Sequence, residues 1–96
     1  MINREGDRML LSGPITLQNV TSQLGEGLVH VRSGAVTIDL GGVTDLDSAL
    51  LAAILAWIRE AHRLNNPLVI ENLPEGLQTL AQLYGVEQLL PVAHRN

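Results

Sequence analysis

The chain has 96 residues, of which 46% are apolar, and this is enough for one domain built around a single hydrophobic core. Its net charge is −4, and its six arginines, with no lysine beside them, form no basic patch, which argues against nucleic-acid binding. The absence of cysteine excludes disulfide bonds, thiolate catalysis and cysteine-based zinc sites.

The first third of the chain alternates between strand and helix patterns. Residues 1–7 are polar and are expected either to fray or to form a short edge strand, and residues 8–12 predict a strand. From 15 to 31 the apolar residues recur at helical spacing. Gly25 and Gly27 each weaken that helix by about 1 kcal/mol relative to alanine, so we expect it to be short or irregular.

The centre of the chain predicts a buried strand followed by a long helix. Residues 35–40 form a β-branched apolar run, and Gly41-Gly42 is expected to end it in a turn. Apolar residues from 51 to 61 then keep the spacing of a helix. Asp47 or Ser48 is the natural N-cap, because either side chain can accept a hydrogen bond from a free backbone N–H. The strand therefore delivers a carboxylate and a hydroxyl to the start of a helix.

The last third repeats the same order of elements. Asn65-Asn66-Pro67 ends the second helix, 68–71 predicts a strand, and 74–84 predicts a third helix. Residues 86–90 add a further helical turn, and the tail from 92 is expected to be loose. The alternation predicts an α/β domain, a small β-sheet covered by about four helices.

Two sequence features bear on where the protein resides. The N-terminus has no secretory signal pattern, and the longest apolar run, residues 49–58, covers half of the roughly 20 residues that span a bilayer. We therefore expect a soluble, cytoplasmic chain.

Ser48 and the nearby carboxylates are the candidates for chemistry. A nucleophilic Ser48 needs a base, but His62 lies fourteen residues along the same helix, about 21 Å away. Asp39, Asp45 and Asp47 admit a metal-site interpretation, but capping and turn roles explain them more simply. We therefore predict no catalytic residue, no metal and no cofactor. Two roles for Ser48 stay open: helix capping, or a contact or phosphorylatable hydroxyl.

Leu50, Trp57 and Leu64 widen the apolar face of the central helix to roughly half its circumference, more than a helix on a sheet usually buries. The excess is covered either by the neighbouring helix or by a partner protein. Trp57 matters most, because tryptophan is enriched among interface anchors.

The central segment VTIDLGGVTDLDSALLAAIL (residues 36–55) resembles the centre of STAS domains, in which a buried strand leads to an acid, one or two hydroxyl residues and an apolar helix. The resemblance covers about residues 8–91, so we expect a single STAS-like domain over 1–96. Leu11-Ser12-Gly13, the late motif TLAQLYGV (79–86) and Leu89-Leu90-Pro91 are most similar to the small STAS subunit of Mla-type phospholipid-transport ABC complexes.

This resemblance implies a non-catalytic cytoplasmic subunit that binds the transporter's ATPase, within a complex with permease and substrate-binding subunits that maintains outer-membrane lipid asymmetry. It would reach the membrane only through that complex. Ser48 would be a contact residue, and the alternative is an anti-sigma-factor antagonist regulated by phosphorylation of Ser48. Ala49 and Leu50 replace the second hydroxyl and the glycine that are usual there, which argues against a phosphorylation switch. The predicted partner-contact residues are Asp45, Asp47, Ser48, Ala49, Leu50 and Trp57.

Overall fold

A computed structural model describes residues 1–93 of the chain. Its elements follow one another as β1 (Ile2–Glu5), β2 (Arg8–Ile15), α1 (Val20–Arg32), β3 (Thr37–Leu46), α2 (Ser48–Arg63), β4 (Val69–Glu71) and α3 (Glu75–Leu83), with a short 3₁₀ turn at Glu87–Leu89. The predicted α/β order is confirmed, and residues 1–7 contribute an edge strand.

The four strands form one mixed sheet in the order β1-β2-β3-β4. β1 is antiparallel to β2, whereas β2, β3 and β4 are parallel. Met9, Ile38 and Ile70 lie side by side across the sheet and are fully buried. They join the buried side chains of the three helices in one core, so the helices cover this face. The opposite face carries partly exposed polar side chains such as Asp39 and Glu71.

Helix α1 continues through both of its glycines, and one of them explains how the helices pack. A Cβ atom placed on Gly27 would lie 2.3 Å from Cε2 of Trp57, so the missing side chain makes room for the indole ring. The indole Nε1–H donates to the carbonyl oxygen of Leu24 at 3.0 Å. Burial of the ring against α1 thus compensates for the low helix propensity of Gly27.

The prediction that Gly41-Gly42 ends strand β3 in a turn is wrong. β3 runs on to Leu46, with register shifts between Leu10 and Ser12 and between Gly13 and Pro14 of β2. Between the pairs Leu10↔Asp39 and Ile15↔Leu46, β2 advances five residues and β3 seven. The extra residues are β-bulges, which glycine tolerates. A Cβ on Gly42 would lie 2.9 Å from the carbonyl oxygen of Leu11, so the close approach there requires glycine.

The C-terminal segment also differs from expectation. Within residues 1–93 there are three α-helices rather than about four, because the predicted last helical turn is the 3₁₀ turn Glu87–Leu89. Val92 is not loose: it forms a parallel bridge with Ile70, and the N–H of Ala93 donates to the Ile70 carbonyl. The rest of the predicted loose tail, residues 94–96, lies outside the described residues. No helix in the described part of the chain is long and apolar enough to cross a membrane.

Candidate functional site

Asp47 joins two neighbouring segments at the carboxyl ends of the parallel strands. Its Oδ1 accepts a hydrogen bond from the Ala49 N–H at 2.9 Å, so of the two N-cap candidates Asp47 caps α2, and Ser48 is the first residue of the helix. Its Oδ2 accepts from the Leu17 N–H at 3.0 Å, in the loop that connects β2 to α1. One carboxylate therefore fixes the start of α2 relative to this loop.

The loop carries a feature that the sequence analysis missed, the exposed side chain of Leu17. Its side chain is 76% exposed, although hydrogen bonds hold the backbone of the loop around it. Asn19 accepts from the Thr16 N–H at 3.0 Å and donates to the Pro14 carbonyl at 2.8 Å. Hydrogen bonds therefore hold the backbone of this loop, and the apolar side chain of Leu17 projects from it. The position of Leu17 fitted the helical spacing, so the sequence pattern counted it as buried.

Ser48 and Asp45 are exposed beside this loop, and Ala49 is half-buried. Oδ1 of Asp45 accepts from the N–H of Leu46 at 2.9 Å, and the residue is exposed. We call Leu17, Asp45, Ser48 and Ala49 together the Ser48 surface. It brings an apolar side chain, a carboxylate and a hydroxyl together on backbone that hydrogen bonds hold in place.

Two of the predicted contact residues lie elsewhere. Leu50 and Trp57 are both 0% exposed, so the prediction that they contact a partner is wrong. Leu50 belongs to the central core, and α1 covers Trp57 through Gly27 and Leu24. Of the two explanations for the wide apolar face of α2, the neighbouring helix is the one observed at Trp57.

Asp39 is held on the open face of the sheet and takes no part in the Ser48 surface. Its carboxylate accepts from Arg8 at 2.7 Å, from Asn72 at 2.9 Å and from the Gly41 N–H at 2.9 Å. Partial burial opposes its charged form, but these three donors outweigh it and hold the pKa of Asp39 below its usual value. Arg8 also pairs with Glu71 at 2.6 Å, so one guanidinium links three strands.

Among the described residues, the histidines and the potential metal ligands can be placed relative to Ser48. In residues 1–93 the imidazoles of His30 and His62 belong to the last turns of α1 and α2, far from the start of α2. Within the same range, no three His, Cys, Asp or Glu side chains are grouped so as to hold a metal ion. Both oxygens of Asp47 are engaged by backbone donors. The groups that this surface exposes, a leucine, a carboxylate and a hydroxyl, can make apolar contacts and hydrogen bonds.

The family model described as "Mlab, STAS domain" matches residues 2–91, nearly the whole chain. A search of curated protein sequences finds no match.

Solved structures share the fold at low sequence identity. A chain of the Acinetobacter MlaFEDB complex in an ATP-bound conformation matches with a TM-score of 0.79 and 20% identity, covering 97% of this chain and 100% of that one. A putative anti-sigma factor antagonist from Thermotoga maritima matches with a TM-score of 0.76 and 13% identity, covering 99% and 86%. The unphosphorylated anti-sigma factor antagonist SpoIIAA matches with a TM-score of 0.69 and 14% identity, covering 100% and 88%.

Proposed function

We propose, since this chain belongs to the STAS domain family, that it is a non-catalytic subunit that binds the ATPase of an ABC phospholipid transporter. In that role it supports the assembly and activity of a complex, with permease and substrate-binding subunits, that maintains outer-membrane lipid asymmetry. It resides in the cytoplasm and reaches the inner membrane only through its partner. The likeness to one chain of the MlaFEDB complex over that chain's full length supports the proposal.

The observation that carries the proposal is the Ser48 surface itself. An exposed leucine on a tied loop stands beside an exposed hydroxyl and a carboxylate, and Asp47 holds the two segments together. A loop whose backbone is already held by hydrogen bonds loses less conformational entropy on binding, which favours protein association. Asp47 acts here as a positioning residue, and Leu17, Asp45, Ser48 and Ala49 supply the contacts.

The chemistry of the surface defines the partner that would fit it. Leu17 needs an apolar pocket that excludes water, as the centre of an interface does. The carboxylates of Asp45 and Asp47 favour basic or hydrogen-bond-donating groups around that pocket. A hydroxyl at position 48 can donate or accept at the edge of such a contact, and a charged, longer side chain there would crowd it.

The test is binding of the purified chain to the ATPase of an ABC phospholipid transporter from the same cell, measured by calorimetry and by pull-down from membranes. Leu17→Ala and Ser48→Glu change the Ser48 surface. Leu83→Ala is the control for Leu17→Ala, because Leu83 is 74% exposed. Gln88→Glu is the control for Ser48→Glu, because it adds the same negative charge at an exposed position of the 3₁₀ turn. All four changes are at exposed positions, so we expect stability to change by about 0.5 kcal/mol or less.

We expect Leu17→Ala and Ser48→Glu each to weaken binding by about tenfold or more, which corresponds to 1.4 kcal/mol, while both controls bind as the wild type does. Equal affinity of all five proteins for the ATPase would refute the Ser48 surface as the docking site. Failure of the wild-type chain to recover any ATPase or permease would refute the transporter role.

The alternative is an anti-sigma-factor antagonist regulated at Ser48, and the fold shared with SpoIIAA and the Thermotoga maritima protein is the observation that favours it. Phosphate on Ser48 would gain from the N-terminus of α2 but would meet Asp45 and Asp47. Recovery of a kinase-like anti-sigma factor in the same pull-down, with phosphate on Ser48 by mass spectrometry, would establish this role instead.

A further inference from the structure

A surface cavity lies away from the Ser48 surface, between the end of β4, α3 and the C-terminal segment. Its volume is about 580 Å³, within the range of roughly 300–1,000 Å³ that is usual for small-molecule sites. It shares no lining residue with the Ser48 surface. We call it the α3 cleft.

The backbone explains why the α3 cleft is open. Asn72 has a φ of 56°, a left-handed conformation that turns the chain away at the end of β4 and towards α3. The C-terminal segment instead stays beside β4, because the Ile70 N–H donates to Pro91 at 2.8 Å and the Ala93 N–H donates to Ile70 at 2.9 Å. The two segments diverge from the same strand, and the cleft is the space between them. Its position at the carboxyl end of a parallel strand is where α/β folds commonly bind ligands.

The lining combines an apolar floor with acidic and amide groups. Leu73 and Leu90 contribute apolar surface, and Leu90 is only 8% exposed. Asn72 and Gln78 contribute amides, which can accept or donate hydrogen bonds. A ligand with both an apolar part and a polar head matches this division.

The sign of the charge comes from Glu71 and Glu87, which both line the cleft. The guanidinium of Arg8 is shared between Glu71 and Asp39, so one cation faces two carboxylates. Glu87 accepts a hydrogen bond from the neutral amide of Gln82 at 2.9 Å, so its partner there brings no positive charge. No arginine or histidine of the described range is among the lining residues. The cleft therefore favours a cation and disfavours an anion.

We propose that the α3 cleft is a binding site for an organic ammonium ion, a protonated amine attached to a short apolar group. The ammonium group would lie towards Glu87 and the amide oxygens, and the apolar group against Leu73 and Leu90. This function is independent of docking at the Ser48 surface. It also differs from the phosphate chemistry considered for Ser48, because the proposed ligand of the cleft is a cation and phosphate is an anion.

The test is a titration of the full chain, labelled with ¹⁵N, followed by ¹H–¹⁵N NMR with n-hexylammonium chloride. n-Hexanol and sodium hexanoate, of the same chain length and at matched ionic strength, separate the charge from the apolar part. We expect saturable shifts at the amides of Asn72, Gln78 and Val92 with hexylammonium, weaker ones with hexanol and none with hexanoate.

Glu87→Gln removes the charge and keeps the shape, and Glu75→Gln is its control, because Glu75 is an exposed acid of α3 that does not line the cleft. We expect Glu87→Gln to weaken hexylammonium binding about two- to fivefold, the value of a partly exposed ion pair, and Glu75→Gln to leave it unchanged. Equal binding of hexanol or hexanoate, shifts outside the cleft, no saturation, or equal effects of the two variants would each overturn the proposal.

Discussion

Replacing Gly27 with alanine separates helix propensity from packing in this fold. Alanine is favoured over glycine inside a helix by about 1 kcal/mol, so propensity alone predicts a more stable protein. The new Cβ would lie 2.3 Å from the ring of Trp57, and its next contacts, at 2.4 and 2.5 Å, are also indole atoms. Overpacking a full core typically costs about 1–3 kcal/mol, and disturbing the indole hydrogen bond to Leu24 adds about 1 kcal/mol. We expect net destabilisation of roughly 1–3 kcal/mol.

Urea unfolding measures this effect, and fluorescence of the single tryptophan reports on the site itself. Gly25→Ala is the matched control, because Gly25 is exposed in the same helix and a Cβ there meets nothing within 4 Å. Gly25→Ala should raise stability by up to about 1 kcal/mol, while Gly27→Ala lowers it and shifts the Trp57 emission. If the two variants were equally stable, the reasoning that Gly27 is needed to make room for the Trp57 ring would be refuted.

Two further predictions concern acids. Hydrogen bonds from Arg63 and Arg32 lower the pKa of Glu60 from 4.5 to about 2, so the stability they provide is present above about pH 4.5 and is lost as pH falls towards 2. In Glu60→Gln the midpoint of urea unfolding should therefore fall less between pH 4.5 and pH 2 than in the wild type. The same fall with pH in both proteins would exclude Glu60 as its source. Asp47→Ala should cost about 1–2 kcal/mol and speed hydrogen exchange at the Leu17 amide, whereas Asp47→Ser restores much of the cap. Unaltered exchange at Leu17 in Asp47→Ala would show that Asp47 does not hold the loop.

Much of the fold follows from local patterns in the chain. The apolar run of β3, the cap at Asp47 and the stop before Pro67 are decided by neighbouring residues, so the order of strands and helices was predictable. The exposure of Ser48 was also predictable, because the first turn of a capped helix after a sheet edge faces outward.

The errors share a cause, which is that they depend on residues distant in sequence. The wide apolar face of α2 suggested a partner surface, but α1 provides the cover through a missing side chain at Gly27. Leu17 obeys helical spacing, yet β2 continues to Ile15 and moves the start of α1 to Val20, so Leu17 falls in an exposed loop. Only the pairing of β2 with β3 determines where that loop begins.

Because β3 contains two bulges, the number of residues from Leu40 to Asp47 determines which way each side chain of this stretch faces. Side chains in a strand alternate between faces, and each bulge resets this alternation once. A substitution in this stretch leaves the number of residues between Leu40 and Asp47 unchanged. The loss or gain of one residue would move each following side chain, up to the start of α2, to the opposite face of the sheet. Insertions and deletions there would misplace Asp47, and with it the link to Leu17, while leaving the core strands paired. Outside Leu40, Gly42 and Asp47, this short stretch should therefore tolerate changes of residue type better than changes of length.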